Sequence, residues 1–287
     1  MTSRWLPAGE PRPGAAVRLF CLPFAGGTSA LYRSWAARLP DWVATVPVEL
    51  PGRGALSSEA PHERLSSLVE ALQAEVGPEL SAPCALFGHG MGALIAFEWI
   101  RSARRVGAAA PIVLIVSGCP PPRRVHAHVQ ETLAQYKASL IDATAPRDVD
   151  GLGAEDAPSA EEAPPGASVL DADQALLRGY RYLWERPLTQ PLFVFGGRDD
   201  GTLPEDLLRG WADETHSTFH LRTLPGDHLY LRTRPDDLLA SLLPALERTR
   251  LGDAGAAPTS EPVVSSLAVP AWGYLEPGDD RDSDPER

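Results

Sequence analysis

Cysteine is scarce in this chain of 287 residues, and its three cysteines have none of the spacings that indicate a disulfide framework or a zinc site. Cys21, Cys84 and Cys119 each lie in or beside an apolar run, where a reduced structural thiol is expected. The N-terminal residues lack the apolar segment of a secretory signal, and no apolar run approaches the ~18 residues of a membrane span. We therefore expect a reduced, cytoplasmic protein without a membrane partner.

Basic residues are too few to form a nucleic-acid-binding surface. The formal net charge is −12, from 26 Lys and Arg against 38 Asp and Glu. The acidic excess is concentrated in residues 142–173, with nine acids and one base, and in residues 250–287, with eight acids and three bases. The charges of the remaining chain nearly balance, so they indicate neither a nucleic acid nor a cationic partner.

Strand-like and helix-like segments alternate along most of the chain. Helical spacing of apolar residues occurs at 65–76 and 93–105. Short apolar runs typical of buried strands occur at residues 17–23, 42–48, 84–87, 111–118, 192–195 and 220–224. Because buried parallel strands form continuous Val, Ile and Leu runs, this alternation predicts an α/β protein with a mostly parallel, doubly wound central sheet.

One long insertion interrupts this alternation. Residues 123–185 have amphipathic helical patterns on either side of a centre, residues 145–168, that is too polar to be buried. An insertion of this kind between strands is typical of a lid over a binding site. We therefore interpret the region of about 120–185 as a helical lid within a single domain of residues 1–249.

The C-terminal segment, residues 250–287, is acidic and rich in proline, which predicts a disordered tail. Its one apolar patch is PVVSSLAVPAWGYLEP, residues 262–277. That patch is either a docking segment or a few apolar side chains on a solvated tail, and the second interpretation is favoured because scattered exposed apolar residues are common.

The segment FGHGMGALIAFE, residues 87–98, joins a strand to an apolar helix through a glycine-dense turn. Gly88, Gly90 and Ala93 fit the dinucleotide-binding pattern G-x-G-x-x-[GA], but no acid closes the next strand to hold a ribose. The alternative is the nucleophile elbow G-x-S-x-G, in which Gly88 and Gly92 are the outer glycines and Gly90 stands where serine belongs. The elbow is favoured if an acid and a histidine follow in that order.

Both partners of such an elbow follow in the chain. FGGRDDG places Asp199 and Asp200 after a strand, and PGDHLYL places His228 after the next strand. The acid would hold one ring nitrogen of the histidine, whose other nitrogen would take the proton of the nucleophile. The alternative is that Asp200 is a turn former and His228 an ordinary loop histidine.

Taken together, these motifs resemble the free-standing (type II) thioesterases of polyketide and nonribosomal peptide biosynthesis. The resemblance covers about residues 15–245 and includes RLFCLPFAGGTSALYRSWAARLP, VELPGRG, FGHGMGALIAFE, LDADQALLRGYRYLWERPL, FGGRDDG and PGDHLYL. It implies an α/β-hydrolase fold with a helical lid, no cofactor, and a monomer. It also implies hydrolysis of acyl groups from the phosphopantetheine arm of an acyl or peptidyl carrier protein.

The resemblance assigns roles residue by residue. Gly90 occupies the nucleophile position, and His228 with Asp200 would be the base and its orienting acid. The backbone N–H groups of Met91, after the nucleophile position, and of Ala25, in the first glycine-rich loop, would form the oxyanion hole.

Several positions depart from the family pattern or leave a choice open. The family's G-x-x-D spacing, counted from Gly197, favours Asp200 over Asp199 as the acid. Gly201 replaces the proline that usually follows the acid, and Asp171 replaces the arginine that usually precedes Ala-Asp in the lid.

The departure at Gly90 has the largest consequence, because glycine has no nucleophilic atom. Loss of the serine from such a triad lowers the rate on the order of 10⁶-fold. Three interpretations stay open: a variant of a working thioesterase, an enzyme that uses His228 and Asp200 without a covalent step, or a protein that only binds.

No other residues form a convincing site. Cys119 fits a buried structural cysteine better than a substitute nucleophile. His126 and His128 have the i, i+2 spacing that points side chains apart on a helix, and His216 and His220 are not both helical. We therefore expect no metal site.

Overall fold

A computed structural model describes most of the chain. The described residues are 3–7, 12, 14–81, 83–132 and 167–251. Most of the predicted polar centre of the lid, residues 145–168, therefore lies outside the described residues, as does nearly all of the predicted tail, residues 250–287.

The centre of the fold is a six-stranded sheet in the order β2-β1-β3-β4-β5-β6, and every neighbouring pair is parallel. The strands are β1 (Val17–Leu22), β2 (Val43–Pro47), β3 (Cys84–His89), β4 (Val113–Ser117), β5 (Leu192–Gly197) and β6 (Phe219–Leu224). Every residue of β3, β4 and β5 is buried, as expected for strands covered on both faces. The predicted α/β class with a mostly parallel sheet is confirmed.

Helices cover the two faces of this sheet. The helices are α1 (Leu65–Glu75), α2 (Met91–Arg105), α3 (residues 122–132), α4 (Ala167–Gly179), α5 (Glu205–Arg209), α6 (Tyr230–Thr233) and α7 (Pro235–Arg250). In α1, the buried residues Leu65, Leu68, Val69 and Leu72 have the i, i+3, i+4, i+7 spacing of one helix face. None of the described helices is both long and apolar enough to cross a lipid bilayer.

The helical pattern that the sequence predicts through residue 185 ends with α4, and residues 180–187 are not helical. Two tyrosines of this segment bond to carboxylates on distant parts of the chain instead. Tyr180 donates a hydrogen bond of 2.8 Å to Glu98, and Tyr182 donates one of 3.0 Å to Glu214. These contacts between distant parts of the chain outweigh the local helical preference.

All six strands run in the same direction, so their carboxyl ends lie at one edge of the sheet. The loop containing Ala25 follows β1, and β3 ends directly before Gly90. The strand β5 ends three residues before Asp200, and β6 ends four residues before His228. Ligands of open α/β sheets bind at this edge, and every predicted site residue follows a strand end there.

Candidate active site

The turn between β3 and α2 brings the helix into close contact with the sheet. A Cβ atom at Gly88 would lie 2.2 Å from the carbonyl carbon of Gly92. A Cβ atom at Gly92 would lie 2.3 Å from the carbonyl oxygen of Leu22, at the end of β1. Only glycine fits at these two positions, as a nucleophile elbow requires of its outer residues.

Gly90 stands at the apex of this turn, with φ +52° and ψ −118°. This backbone conformation is unfavourable for other residues and costs them about 1–3 kcal/mol. Space does not forbid a side chain, however. A Cβ atom at Gly90 would lie 3.7 Å from Cβ of Phe24 and 3.8 Å from the carbonyl oxygen of Gly118, which are ordinary contacts.

The structure brings His228 and Asp200 together across two loops. The Nδ1 atom of His228 lies 2.7 Å from Oδ2 of Asp200, while Oδ1 of Asp200 accepts hydrogen bonds from the backbone and hydroxyl of Thr202. Burial alone would raise the pKa of Asp200, but the bonds from His228 and Thr202 lower that pKa to about 2. Asp199 faces elsewhere and accepts a bond of 3.1 Å from the backbone N–H of Gly226.

The two predicted oxyanion-hole residues line the same pocket as Gly90 and His228. Met91 is the first residue of α2, so its backbone N–H lies at a helix N-terminus, where negative charge is stabilised. Within the described residues, neither the Met91 nor the Ala25 backbone N–H has a hydrogen-bond acceptor.

The pocket lies between the sheet edge and the helices α3 and α4, and most of its lining is apolar. The apolar side chains of its wall are Phe24, Leu94, Cys119, Pro120, Val125, Val129, Leu177 and Leu229. A lining of this kind, with few polar groups, suits an apolar ligand.

Residues 17–246 match the family model of the thioesterase domain. The chain belongs to the thioesterase family. This match spans β1 through most of α7 and includes every residue of the candidate site.

Known thioesterases and their solved structures agree with this assignment. The chain is 29% identical over 229 residues to the gramicidin S biosynthesis protein GrsT of Aneurinibacillus migulanus, covering 80% of this chain and 88% of GrsT. The RedJ thioesterase of the prodiginine pathway in Streptomyces coelicolor is 34% identical, with a TM-score of 0.67 over 82% of this chain and 88% of RedJ. BorB, a type II thioesterase of the borrelidin cluster, is 27% identical, with a TM-score of 0.68 over 86% of this chain and 98% of BorB. The predicted α/β-hydrolase fold and family are confirmed.

A second histidine of this chain packs beside His228, and the sequence motifs assign it no role. The ring of His89 is fully buried, with its centroid 5.1 Å from that of His228. Its Nδ1 atom lies 2.9 Å from the hydroxyl of Ser117, which also bonds to the hydroxyl of Tyr230. Burial lowers the pKa of His89, so this ring is neutral and supports His228 by packing.

The other histidine and cysteine candidates lie apart from one another. His128 lines the pocket, whereas His126 is paired with Arg181 on the helix exterior. His220 stacks on Phe193, and Cys119 is a buried free thiol whose pKa is raised by burial. Within the described ranges, no three His, Cys, Asp or Glu side chains are grouped closely enough to hold a metal ion.

The sequence motifs also assign no role to three buried charged residues of this chain. Glu49 and Arg53 lie in VELPGRG, and Asp173 lies in LDADQALLRGYRYLWERPL. All three are buried and contact the loop that contains Ala25. Glu49 stands between the apolar residues Val48 and Leu50, and a charged residue in such an apolar setting was a signal that could have identified it.

Proposed function

We propose that this thioesterase-family protein acts on acyl groups that are carried as thioesters on the phosphopantetheine arm of a carrier protein, in polyketide or nonribosomal peptide biosynthesis. The apolar pocket beside Gly90 supports an acyl ligand. The pathway is supported by the relatives GrsT, RedJ and BorB, which are named for gramicidin S, prodiginine and borrelidin biosynthesis. That the protein is a cytoplasmic monomer stays a prediction from its sequence.

The proposed roles follow the order of a thioester hydrolysis. A serine at position 90 would attack the thioester carbonyl while His228 takes its proton, and Asp200 would stabilise the imidazolium that forms. The Ala25 and Met91 N–H groups would bind the oxyanion, and His228 would return the proton to the leaving thiol. Water activated by His228 would then release the acyl group. With Gly90 in place, no acyl-enzyme forms at this position.

The hydrogen bond of 2.7 Å between His228 and Asp200 carries the proposal, because the base and its acid are in place around a position that lacks only the hydroxyl. The space at Gly90 accepts a side chain, and the same pocket is lined by Ala25 and Met91, whose backbone N–H groups have no acceptor among the described residues. We therefore propose that this chain is a thioesterase in which glycine replaces the nucleophile.

The decisive experiment is Gly90→Ser, with Gly90→Ala as the matched control. Both variants carry the same backbone strain, but only serine supplies a nucleophile. The hydrolysis of an acyl-pantetheine thioester should rise by several orders of magnitude in Gly90→Ser, because the triad acts as a unit. The parent and Gly90→Ala should keep only the residual ~10³–10⁴-fold acceleration over water that binding and the oxyanion hole provide. A folded Gly90→Ser protein without this gain would refute the proposal.

The second candidate is an enzyme that transfers a proton without a covalent step. The intact His228–Asp200 pair favours it, because a water or a substrate group could occupy the space beside Gly90. In that case the unmodified chain, with Gly90 in place, would already convert its substrate rapidly, in a cyclisation or an elimination. The substitution Gly90→Ser would not increase its rate.

The third candidate is a protein that only binds its acyl ligand or carrier. A complementation assay separates it from both enzymes, since His228→Ala and Asp200→Asn would leave a binding protein functional in its pathway and would inactivate an enzyme. Binding of acyl-loaded against unloaded carrier protein tests the shared partner. If the chain bound neither form of the carrier protein at high concentration, a carrier protein would be excluded as its partner under all three candidate functions.

A further inference from the structure

The loop after β1 is held by a buried ion pair that joins two distant motifs. Oδ2 of Asp173, on α4, accepts a hydrogen bond of 2.8 Å from the backbone N–H of Gly26. The same carboxylate pairs with both terminal nitrogens of Arg53, at 2.8 Å to Oδ2 and 2.6 Å to Oδ1. Both charged side chains are only 2% exposed. The pair is therefore shielded from water and has a fixed geometry.

The loop and α4 also touch at close range beside this ion pair. Nη1 of Arg53 lies 3.3 Å from the carbonyl oxygen of Gly27, to which it donates. A Cβ atom at Gly26 would lie 3.3 Å from Cδ1 of Leu170, on α4, and Gly26 has a φ of +75°. Glycine at this position therefore lets the loop backbone pack directly on the helix.

Ala25 and Gly26 are the two central residues of a tight turn. The backbone N–H of Gly27 donates to the carbonyl oxygen of Phe24 at 2.8 Å, which closes the turn around them. The positive φ at Gly26 is what a type II turn requires at its third position. Since Asp173 holds the Gly26 N–H, it fixes the turn that orients the neighbouring Ala25 N–H.

The far end of the loop is held separately. Glu49, which follows β2, accepts hydrogen bonds of 3.2 Å from the backbone N–H of Ser29 and 2.7 Å from its hydroxyl. The loop is thus attached to the core at Ser29 and to α4 at Gly26. Only the attachment at Gly26 adjoins the predicted oxyanion donor.

We propose that Arg53 and Asp173 are positioning residues of the oxyanion hole, which act through the Gly26 N–H on the direction of the Ala25 N–H. The helix α4 is then a structural part of the oxyanion hole as well as a wall of the pocket. Arg53 holds the carboxylate in one plane through its two parallel bonds, and a lysine could not do this. The inference rests on the proposed function, because it assigns Ala25 as a donor to the thioester oxyanion.

The kinetic test uses the Gly90→Ser protein as its parent. Asp173→Asn keeps the shape of the side chain but removes its charge, and Asp171→Asn is the matched control on the exposed face of the same helix. Asp173→Asn should lower kcat on the order of 10²-fold, as expected for an oxyanion donor that is out of place, with KM changed less than about threefold. Asp171→Asn should leave both constants unchanged. An unchanged kcat, or a rise in KM alone, would overturn the proposal.

Asp173→Asn leaves the Arg53 charge buried without its partner, so this variant could lose activity because it misfolds. A second variant separates misfolding from the loss of the bond to Gly26. The double variant Arg53→Met/Asp173→Leu replaces the pair by apolar side chains of similar length, which a buried site tolerates. This variant removes the bond to Gly26 without leaving a buried charge. It should show the same loss of kcat, and a folded double variant with the kcat of its parent would overturn the proposal.

Amide hydrogen exchange in the parent Gly90 chain makes the test independent of hydrolysis. Exchange of the Gly26 amide should be at least about tenfold faster in the double variant, since this N–H loses its buried acceptor, while amides of α7 stay unchanged. Unchanged exchange at Gly26 overturns the proposal, as does faster exchange with an unaffected kcat.

If Gly90→Ser does not hydrolyse thioesters, the proposed function and the oxyanion role fail together. Faster exchange of the Gly26 amide then supports only the attachment of the loop to α4.

Discussion

The imidazole of His228 and the carboxylate of Asp200 are joined by a hydrogen bond of 2.7 Å, although 28 residues of chain separate them. This bond, with those from Thr202, lowers the pKa of Asp200 to about 2 despite its burial. A carboxyl group whose pKa is lower in the folded than in the unfolded protein stabilises the fold above its unfolded pKa of about 3.9. That stabilisation is lost as the pH falls towards 2.

We therefore expect Asp200→Asn to lower the free energy of unfolding by about 2 kcal/mol at pH 7, which corresponds to the size of the pKa shift. The difference between the variant and its parent should disappear as the pH falls from about 4 to 2. Urea unfolding of both proteins at a series of pH values measures this difference in the free energy of unfolding. Asp199→Asn is the control, and it should keep the pH dependence of the parent. A loss of stability in Asp200→Asn that is equal at pH 7 and pH 2 would contradict the prediction.

The outer glycines of the turn before α2 provide a test of the elbow geometry. Gly88→Ala and Gly92→Ala each place a Cβ atom 2.2–2.3 Å from backbone atoms, so the strand and the helix must separate. Each substitution should lower the free energy of unfolding by more than about 2 kcal/mol, as overpacking does. Gly179→Ala is the control, because its Cβ would meet no atom within 4 Å and should change stability by less than about 1 kcal/mol. Chemical denaturation measures the free energy of unfolding of the three variants. If Gly88→Ala and Gly92→Ala were as stable as Gly179→Ala, the close contact between the helix and the sheet would be refuted.

The domain limits stay a prediction from composition. Residues 1–249 should form one protease-resistant domain, with cleavage expected in the polar centre of the insertion, residues 145–168, and in the acidic tail after residue 250. Limited proteolysis followed by mass spectrometry locates the cuts, and circular dichroism tests whether the cleaved core keeps its fold. A core that unfolds after these two cuts would contradict the prediction.

Local patterns were sufficient to predict much of the architecture. The apolar run at residues 111–118 contains β4, and the helical spacing at residues 93–105 lies within α2. These predictions succeed because a strand buried on both faces is continuously apolar, and because a core helix begins where a glycine-rich turn ends. The extension of the helical pattern through residue 185 was wrong, since Tyr180 and Tyr182 bond to carboxylates far away in the chain.

The sequence by itself determined the identity of the strands and the order of the elbow, the acid and the histidine, because short segments encode these features through their own periodicity and glycine content. The tertiary structure alone decided which side chains meet. His228 bonds to Asp200 while Asp199 faces Gly226, and Asp173 reaches Gly26 across 147 residues of chain. Such contacts depend on the order of strands in the sheet and on where α4 packs, and no pattern of neighbouring residues specifies either.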